Sequence, residues 1–213
     1  MKKKIIIFIG PSISLEEAEK ILKADYRHPV GRGDVNMAIM DHPYIIGIID
    51  GVFHQEPAVS HREILDALDK NIIVVGGASM GALRAAELDE MGMIGVGKVY
   101  QSYKNGLIES DDEVAVVFEP STQEQLSEAL VTMNYNFKKA YQHGIVSKEE
   151  WDQLYRAAKD IYYPKRTYAI VFRNSGIEPE KINKLETFLE KYGEDIKNQD
   201  AREVLNYIKS ILN

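Results

Sequence analysis

The chain of 213 residues contains no cysteine. This absence excludes disulfide bonds, a thiolate nucleophile and zinc or iron–sulfur centres held by cysteine. Basic residues are in the minority: 26 lysines and arginines stand against 33 aspartates and glutamates, which gives a formal net charge of −7. Because surfaces that bind nucleic acid are basic, this balance predicts a protein that binds no nucleic acid.

Long apolar runs are missing as well. A membrane-spanning helix needs about 20 apolar residues, and no stretch of this sequence approaches that length. The run Ile5–Ile9 follows three lysines, but it is too short for a signal peptide and is followed by no cleavage site of small residues. We therefore expect a soluble, cytoplasmic protein that does not bind a membrane.

The sequence also lacks a complete cofactor or metal motif. The Walker phosphate-binding pattern and the dinucleotide pattern G-x-G-x-x-G are both absent. Asp111 and Asp112 are adjacent, but no second group of metal ligands accompanies them, so this pair is interpreted as a solvated turn. The sequence predicts no cofactor and no metal.

Apolar and amphipathic segments alternate in the N-terminal part of the chain. Short apolar runs rich in β-branched residues are typical of strands buried on both faces of a parallel sheet, and helical segments follow them. The predicted strands are 4–9, 26–30, 44–49 and 72–75, and the predicted helices are 15–23, 35–40, 61–69 and a helix from Met80 onward. Residues 91–97 are interpreted as a close-packed turn, 98–104 as a short helix and 114–118 as a further strand.

The character of the sequence changes after Pro120. Helices are predicted at 122–142, 148–162, 165–173, 179–192 and 201–212, with glycine or proline at the breaks. The predicted fold class is therefore α/β. A three-layer N-terminal part built on a parallel sheet spans residues 1–120, and a helical C-terminal region, residues 121–213, packs on it or beside it.

The pattern Gly77-Ala78-Ser79-Met80-Gly81 lies between a predicted strand and a predicted helix. It matches G-x-S-x-G, in which a sharp turn raises a nucleophilic serine above a sheet edge at a helix N-terminus. The glycines would allow a tight turn, and the N–H groups of Met80 and Gly81 would stabilise an oxyanion. The alternative is that Ser79 only caps the helix and that the glycines permit close packing.

Further polar residues follow other predicted strands, where the ligands of α/β sheets gather. They are Ser12, Arg32, Asp50, His54 and His61. Arg32 lies between two glycines and could clamp a carboxylate or a phosphate. An ordinary surface position remains the alternative for Arg32 and for His61.

A nucleophilic serine needs a base. No histidine has an acidic partner at a fixed spacing, so the sequence does not predict a Ser-His-Asp triad. A lysine whose pKa is lowered by burial is the other option. Lys159 would project from a helical stripe that contains Trp151 and Tyr155. The alternative is an exposed lysine whose stem covers this stripe. Lys104, beside Tyr103, is the second candidate.

Several uncommon strings occur in order in the first 120 residues. They are G-P-S at 10–12, R-G-D at 32–34, I-D-G-V-F at 49–53, P-A-V-S-H-R-E-I-L at 57–65, A-S-M-G-A-L-R-A-A-E-L at 78–88, G-M-I-G-V-G at 92–97 and D-D-E-V-A at 111–115. Together these strings resemble the TfuA-like family. In the C-terminal half the likeness is loose and rests chiefly on Ala158, Lys159 and Arg166.

The resemblance implies a function that composition cannot show. TfuA-like proteins accompany YcaO enzymes, which use ATP to activate a peptide backbone amide so that sulfur replaces its oxygen. The substrates are ribosomally made peptides or, in archaea that make methane, a glycine of methyl-coenzyme M reductase. The TfuA-like partner is expected to hydrolyse the C-terminal thiocarboxylate of a ubiquitin-like sulfur carrier, to release sulfide and to help YcaO engage its substrate.

The resemblance also implies a serine–lysine pair. Ser79 would be the nucleophile, and Lys159, or otherwise Lys104, would be the base. Arg32 or Arg84 would hold the negative charge of the thiocarboxylate, although Arg84 could pair with Glu87 instead. The remaining residues expected to line the substrate crevice are Ser12, Asp50, His54, His61, Met80 and Gly81.

Two other functions remain open at the level of sequence. A docking protein could join the carrier, the YcaO enzyme and the peptide through its C-terminal helices, with Ser79 as a helix cap. A phosphate-binding domain could use the turns at Ser12 and Ser79.

Overall fold

A computed structural model of the chain describes residues 3–53, 56–119, 121–122 and 124–212. In these residues the strands are β1 (Ile5–Phe8), β2 (Asp25–Arg27), β3 (Ile45–Ile48), β4 (Ile73–Gly77) and β5 (Ile94–Val96). The α-helices are α1 (Leu15–Ile21), α2 (Asp34–Met40), α3 (His61–Asp69), α4 (Met80–Leu88), α5 (Lys98–Lys104), α6 (Leu130–Gln142), α7 (Lys148–Asp160), α8 (Tyr168–Asn174), α9 (Pro179–Tyr192) and α10 (Ile196–Ser210).

The chain forms two compact units. Residues Met1–Glu109 and Lys197–Asn213 form the first unit, and Ser110–Ile196 form the second. This division differs from the expected ranges 1–120 and 121–213. The physical reason is that the apolar face of α10 belongs to the core of the sheet rather than to that of the other helices that follow residue 120.

The described strands of the first unit are all parallel and lie in the order β2-β1-β3-β4-β5. The short apolar sequences of β1, β3 and β4 suit a sheet that is covered on both faces. The strand order reverses between β1 and β3. In sheets of this kind such a reversal separates the loops at the carboxyl ends of the two strands and leaves a crevice for ligands. The predicted α/β class with a parallel sheet is confirmed.

Alternate residues of the strands supply two apolar cores, one on each face of the sheet. The first core contains Ile6, Phe8, Ile46, Ile48 and Val74 with residues of α2, α3 and α4. The second contains Ile7, Ile45 and Val75 with residues of α1 and α10. Side chains of α10 therefore cover the second face where β3 and β4 would otherwise be open to water.

The second unit consists mainly of helices, as the sequence predicts. Helix α6 packs against α7 and α9, and α7 packs against α8. Arg166 is fully buried in this unit and donates to the carbonyl oxygens of Ala158 and Ile161 at the C-terminal end of α7. The guanidinium thereby satisfies carbonyl groups that a helix end leaves without partners.

Several predicted elements need correction. Residues 114–118 do not form a strand, because the N–H of Val117 donates to the Ser127 hydroxyl rather than to a carbonyl group, and only an isolated bridge at Phe118 forms. Residues 94–96, interpreted as part of a turn, form the edge strand β5. The helix predicted at 122–142 begins only at Leu130, and the helix predicted from Ala201 begins at Ile196.

Close contact between α4 and the sheet depends on two glycines. A Cβ atom on Gly81 would lie 1.8 Å from the carbonyl oxygen of Ile48, and one on Gly76 would lie 2.2 Å from the carbonyl oxygen of Gly81. Backbone atoms cannot turn aside as a flexible side chain can. Any larger residue at Gly81 therefore has to push α4 away from β3.

We expect Gly81→Ala to lower the free energy of unfolding by about 3 kcal/mol, because the collision outweighs the gain of about 1 kcal/mol that alanine gives in a helix. Urea unfolding followed by circular dichroism measures the change. Gly106→Ala is the control. Gly106 has φ +65° and nothing within 4 Å of its Cβ position, so only backbone strain of about 1–2 kcal/mol applies there. Equal losses in the two variants would contradict the packing argument.

The carboxylate of Asp200, which is fully buried, fixes the start of α10 to the start of α5. It accepts hydrogen bonds from the N–H groups of Lys98 at 2.9 Å and Val99 at 2.7 Å. Gly97 leaves the necessary space, since a Cβ atom there would lie 2.3 Å from the carboxyl carbon of Asp200. Burial raises the pKa of Asp200 to about 6 in spite of the two N–H donors.

This pKa predicts how stability changes with pH. The folded chain holds the Asp200 proton more tightly than the unfolded chain, in which the pKa is about 3.9. The stabilisation from this proton is complete below the unfolded pKa and is lost as the pH rises through about 6. Between about pH 4 and pH 7, wild type should therefore lose about 2–3 kcal/mol relative to Asp200→Asn. Urea unfolding of both proteins at both pH values measures this loss, and a difference that does not change with pH would refute it.

Candidate functional site

The turn between β4 and α4 has a strained backbone. Ala78 has φ +67° although it is not a glycine, and the N–H of Ser79 donates to the carbonyl oxygen of Gly77 at 2.8 Å. A hydrogen bond between residues i and i+2, with a positive φ at the residue between them, defines the form of γ-turn that is rare and strained. Ser79 itself has φ −130° and ψ −116°, outside the regular regions. Strain of this kind is concentrated at functional sites.

The side chain of Ser79 does not cap α4. In α1, α3, α7 and α8 the N-cap hydroxyl accepts a hydrogen bond from the N–H three residues later; these caps are Ser14, Ser60, Ser147 and Thr167. Ser79 holds the same position in α4 but makes no such bond. Its position therefore lacks the hydrogen bond that would explain a serine as a helix cap.

The glycines of the G-x-S-x-G pattern serve packing rather than the turn. The positive φ falls on Ala78, not on Gly77 or Gly81, and a Cβ atom on Gly77 would lie 2.5 Å from Val204 of α10. The expected oxyanion donors also need correction, because the N–H of Gly81 donates to the carbonyl oxygen of Ile49 at 3.3 Å. The N–H of Met80 is the donor that follows the serine directly, as in serine hydrolases with this turn.

Three buried polar residues, Ser12, Asp50 and Lys197, lie near the carboxyl ends of β1 and β3. The hydroxyl of Ser12 donates to Oδ1 of Asp50 at 2.6 Å, and the N–H of Ser12 donates to Oδ2 at 3.1 Å. Burial raises the pKa of the Asp50 carboxyl, whereas the charge of Lys197 and the bonds from Ser12 oppose that rise. Each of the three residues is 2% exposed. The structure thus brings together the predicted residues Ser12 and Asp50 and adds Lys197.

The first turn of α10 crosses this edge of the sheet. The amide of Asn198 donates to the carbonyl oxygen of Ser12 at 3.0 Å, Lys197 interacts with Asp50, and Asp200 binds the start of α5. The residues that α10 contacts come directly after β1, β3 and β5 in the chain. They therefore lie on both sides of β4, the strand that ends at the Ser79 turn.

The two lysines predicted as bases have other surroundings. The ammonium of Lys104 lies 2.7 Å from a carboxylate oxygen of Asp89. The hydrogen bond to Asp89 raises the pKa of Lys104, which makes this lysine a poor base at neutral pH. Lys159 is an exposed residue of α7 in the second unit, and its Nζ lies 5.7 Å from the ring centre of Tyr155. This geometry matches the alternative of an exposed lysine above the aromatic stripe.

His61 and Arg84 come together, but at a different place on α4. His61 Nε2 lies 2.8 Å and Arg84 Nη1 lies 2.6 Å from the same carboxylate oxygen of Glu87. Arg84 also donates to the carbonyl oxygen of Val59 at 3.0 Å. Glu87 lies about two helical turns beyond Ser79, so both side chains are engaged away from the serine.

The remaining predicted residue of the crevice that can be placed is Arg32. It is exposed in the loop before α2, and its N–H donates to the carbonyl oxygen of Pro57 at 2.9 Å. His54 lies outside the described residues.

Some features are absent from the described ranges of the chain. No helix there is both long enough and apolar enough to cross a bilayer. The same residues include no group of three or more histidine, aspartate or glutamate side chains arranged to hold a metal ion. Of the adjacent aspartates noted in the sequence, Asp112 forms an ion pair with the buried Arg166 at 3.1 Å.

Lys197 is not among the predicted site residues, because the sequence pattern predicts that the last helix starts at Ala201. The helix begins one turn earlier, and Lys197, Ala201, Val204 and Ile208 recur at intervals of four, three and four residues. This spacing is typical of one helix face. Extending the apolar face back by one turn would have placed Lys197 on the side of α10 that meets the sheet.

Comparison with protein-family models identifies a family for this chain. A family model described as TfuA-like protein matches residues 50–167, more than half of the chain. The matched segment begins at Asp50 and includes Ser79, whereas Ser12 and Lys197 lie outside it. No curated protein matches the chain.

Because Ser79 makes no capping bond, Ser79→Ala should lower the free energy of unfolding by less than the loss of a helix cap, which costs about 1 kcal/mol. Ser60→Ala is the matched comparison, since Ser60 and Glu63 form a complete capping box, and its loss should cost about 1 kcal/mol. Urea unfolding of the two variants measures both effects. A loss for Ser79→Ala as large as that for Ser60→Ala would show that Ser79 has a structural role.

Proposed function

The chain belongs to the TfuA-like family, and we propose that it releases sulfide from a sulfur carrier for YcaO-dependent thioamidation of a peptide backbone. In this proposal the carrier is a ubiquitin-like protein that ends in a thiocarboxylate, and the chain hydrolyses that group at Ser79. The released sulfide serves the modification of a glycine in methyl-coenzyme M reductase. The chain also helps the YcaO enzyme to engage this substrate, acts in the cytoplasm and needs no cofactor of its own.

The observation that supports this proposal most directly is the state of Ser79. The serine follows a strained γ-turn at the carboxyl end of a parallel strand, and its hydroxyl is not used to cap the helix that it precedes. The N–H of Met80 lies at the N-terminus of that helix, where the helix dipole favours negative charge. A serine in this setting is suited to acyl transfer.

The proposed reaction proceeds in two steps. Ser79 Oγ attacks the carbon of the thiocarboxylate, a C–O bond forms, and the N–H of Met80 stabilises the tetrahedral intermediate. The C–S bond then breaks, and the sulfur leaves as hydrosulfide with the proton that the serine hydroxyl gave up. Water hydrolyses the resulting ester, which restores Ser79 and releases the carrier as a carboxylate.

A non-catalytic docking protein is the second candidate function. It would join the YcaO enzyme, the carrier and the peptide without using Ser79. The exposure of Ser79, which is only 2%, favours this candidate, because a substrate has to reach a nucleophile. Hydrolysis by the isolated chain distinguishes the two functions.

The test is sulfide release from a thiocarboxylated carrier in the absence of YcaO. Wild type should release sulfide, and Ser79→Ala should lose at least about a thousandfold in rate, as expected for the loss of a nucleophile. Ser60→Ala is the matched control, because it removes a hydroxyl that caps a neighbouring helix. Intact mass after acid quenching should show an ester between carrier and chain in wild type and in Ser60→Ala but not in Ser79→Ala.

Two further variants examine the predicted serine–lysine pair in the same assay. Lys104→Ala should keep its activity, because the ammonium of Lys104 is held by Asp89. A large loss in Lys159→Ala would support Lys159 as the base. Full release by Ser79→Ala would refute the nucleophile, and no release by any of the proteins would favour the docking function.

A further inference from the structure

We propose that Lys197, positioned by Asp50 and Ser12, binds the anionic acyl end of the substrate beside Ser79. This inference rests on the proposed function and adds to it the group that recognises the end of the carrier, a carboxylate or a thiocarboxylate. It assigns a lysine to the site that is neither Lys159 nor Lys104. Lys197 and Ser12 both lie outside the segment that the family model matches.

The packing of α10 on the sheet sets the position of Lys197. Ile208, near the end of the helix, lies over the middle of β3, where its Cδ1 is 3.0 Å from the Cβ position of Gly47. Val204 lies over the end of β4, where its Cγ2 is 2.5 Å from the Cβ position of Gly77. The N-terminal end of α10 therefore lies nearer to the carboxyl ends of the strands than its C-terminal end does.

The same face of α10 continues past the ends of the strands. Ala201 belongs to the apolar cluster that contains Ala78, the central residue of the γ-turn. Lys197 comes one turn earlier on this face, about 6 Å closer to the N-terminus of the helix. Measured along the strands, Lys197 therefore lies just past Ala78, as Ser79 and Asp50 do.

Asp50 and Ser12 form polar surroundings for this lysine. Both oxygens of the Asp50 carboxylate accept hydrogen bonds from Ser12, one from the hydroxyl and one from the N–H. These donors fix the orientation of the carboxylate, and the charge of Lys197 acts on it. Asp50 and Ser12 are accordingly positioning residues, and Lys197 is the group that meets the ligand.

Stability alone does not account for these buried charges. Apolar residues of similar size often stabilise a core as well as a buried ion pair or better. Nor does α10 need Lys197 for its attachment, because Asp200, Asn198 and the apolar face already bind it to the sheet. The pair lies where the strand order reverses, the place at which sheets of this topology bind ligands.

The charge of Lys197 suits the proposed chemistry. A thiocarboxylate is an anion, and its negative charge repels an attacking serine oxygen. An ammonium beside the group neutralises this charge in surroundings from which water is largely excluded, where electrostatic interactions are strong. The arginines expected in this role are placed less well: Arg32 is exposed, and Arg84 is engaged with Glu87.

The inference can be tested by binding, without hydrolysis. Two synthetic peptides carry the C-terminal sequence of the carrier, one with a free carboxylate and one with a carboxamide, and each is titrated into the full chain by calorimetry. Wild type should bind the carboxylate at least tenfold more tightly. Lys197→Met should abolish this preference, Lys197→Arg should keep most of it, and Asp50→Asn should reduce it.

Arg202→Met is the matched control, because Arg202 is a cation of the same helix that pairs with Glu17; it should keep the full preference. An unchanged preference in a folded Lys197→Met protein would overturn the inference, as would its absence in wild type. If Lys197→Met does not fold, Lys197→Gln provides the same comparison. If Ser79→Ala still releases sulfide while Lys197→Met loses the preference for the carboxylate, Ser79 is not the nucleophile, but Lys197 is still the anion-binding group.

Discussion

The first unit depends on one requirement: a parallel sheet of aliphatic strands must be covered on both faces. Helices α2, α3 and α4 supply one cover, but among the described residues of the N-terminal half α1 is the only helix on the other face. The last helix completes that layer. Helix α10 lies along the strands rather than across them. When it packs on the core, its first turn therefore lies at the carboxyl edge of the sheet, where the candidate site is.

The same requirement explains why glycines are concentrated around the site. Helices on both faces approach β3 and β4 closely, and Gly76, Gly77 and Gly81 each lie where a Cβ atom would collide with a neighbour. The turn at Ser79 is thus held from both sides by packed elements. Such a frame can maintain a positive φ at Ala78, which an isolated loop would relax.

Features that depend on local sequence could be predicted well. The central strands, the helix capped by Ser60 and the strand-end positions of Ser12, Asp50 and Ser79 all follow from short patterns. Strand β5 could not be predicted, because a three-residue edge strand with a central glycine has neither length nor alternation. Lys197 could not be assigned, because its neighbours come from distant segments and its role depends on how α10 packs.

The discontinuous composition of the first unit has a consequence for biosynthesis. The second unit is a continuous segment and can fold on the ribosome as soon as it has emerged, whereas the sheet must wait for α10 to cover its second face. Until then Ser79 has no lysine-bearing helix beside it. A nascent chain would therefore lack both the frame that holds the strained turn and the anion site that we propose, so the proposed release of sulfide would require assembly of the whole unit.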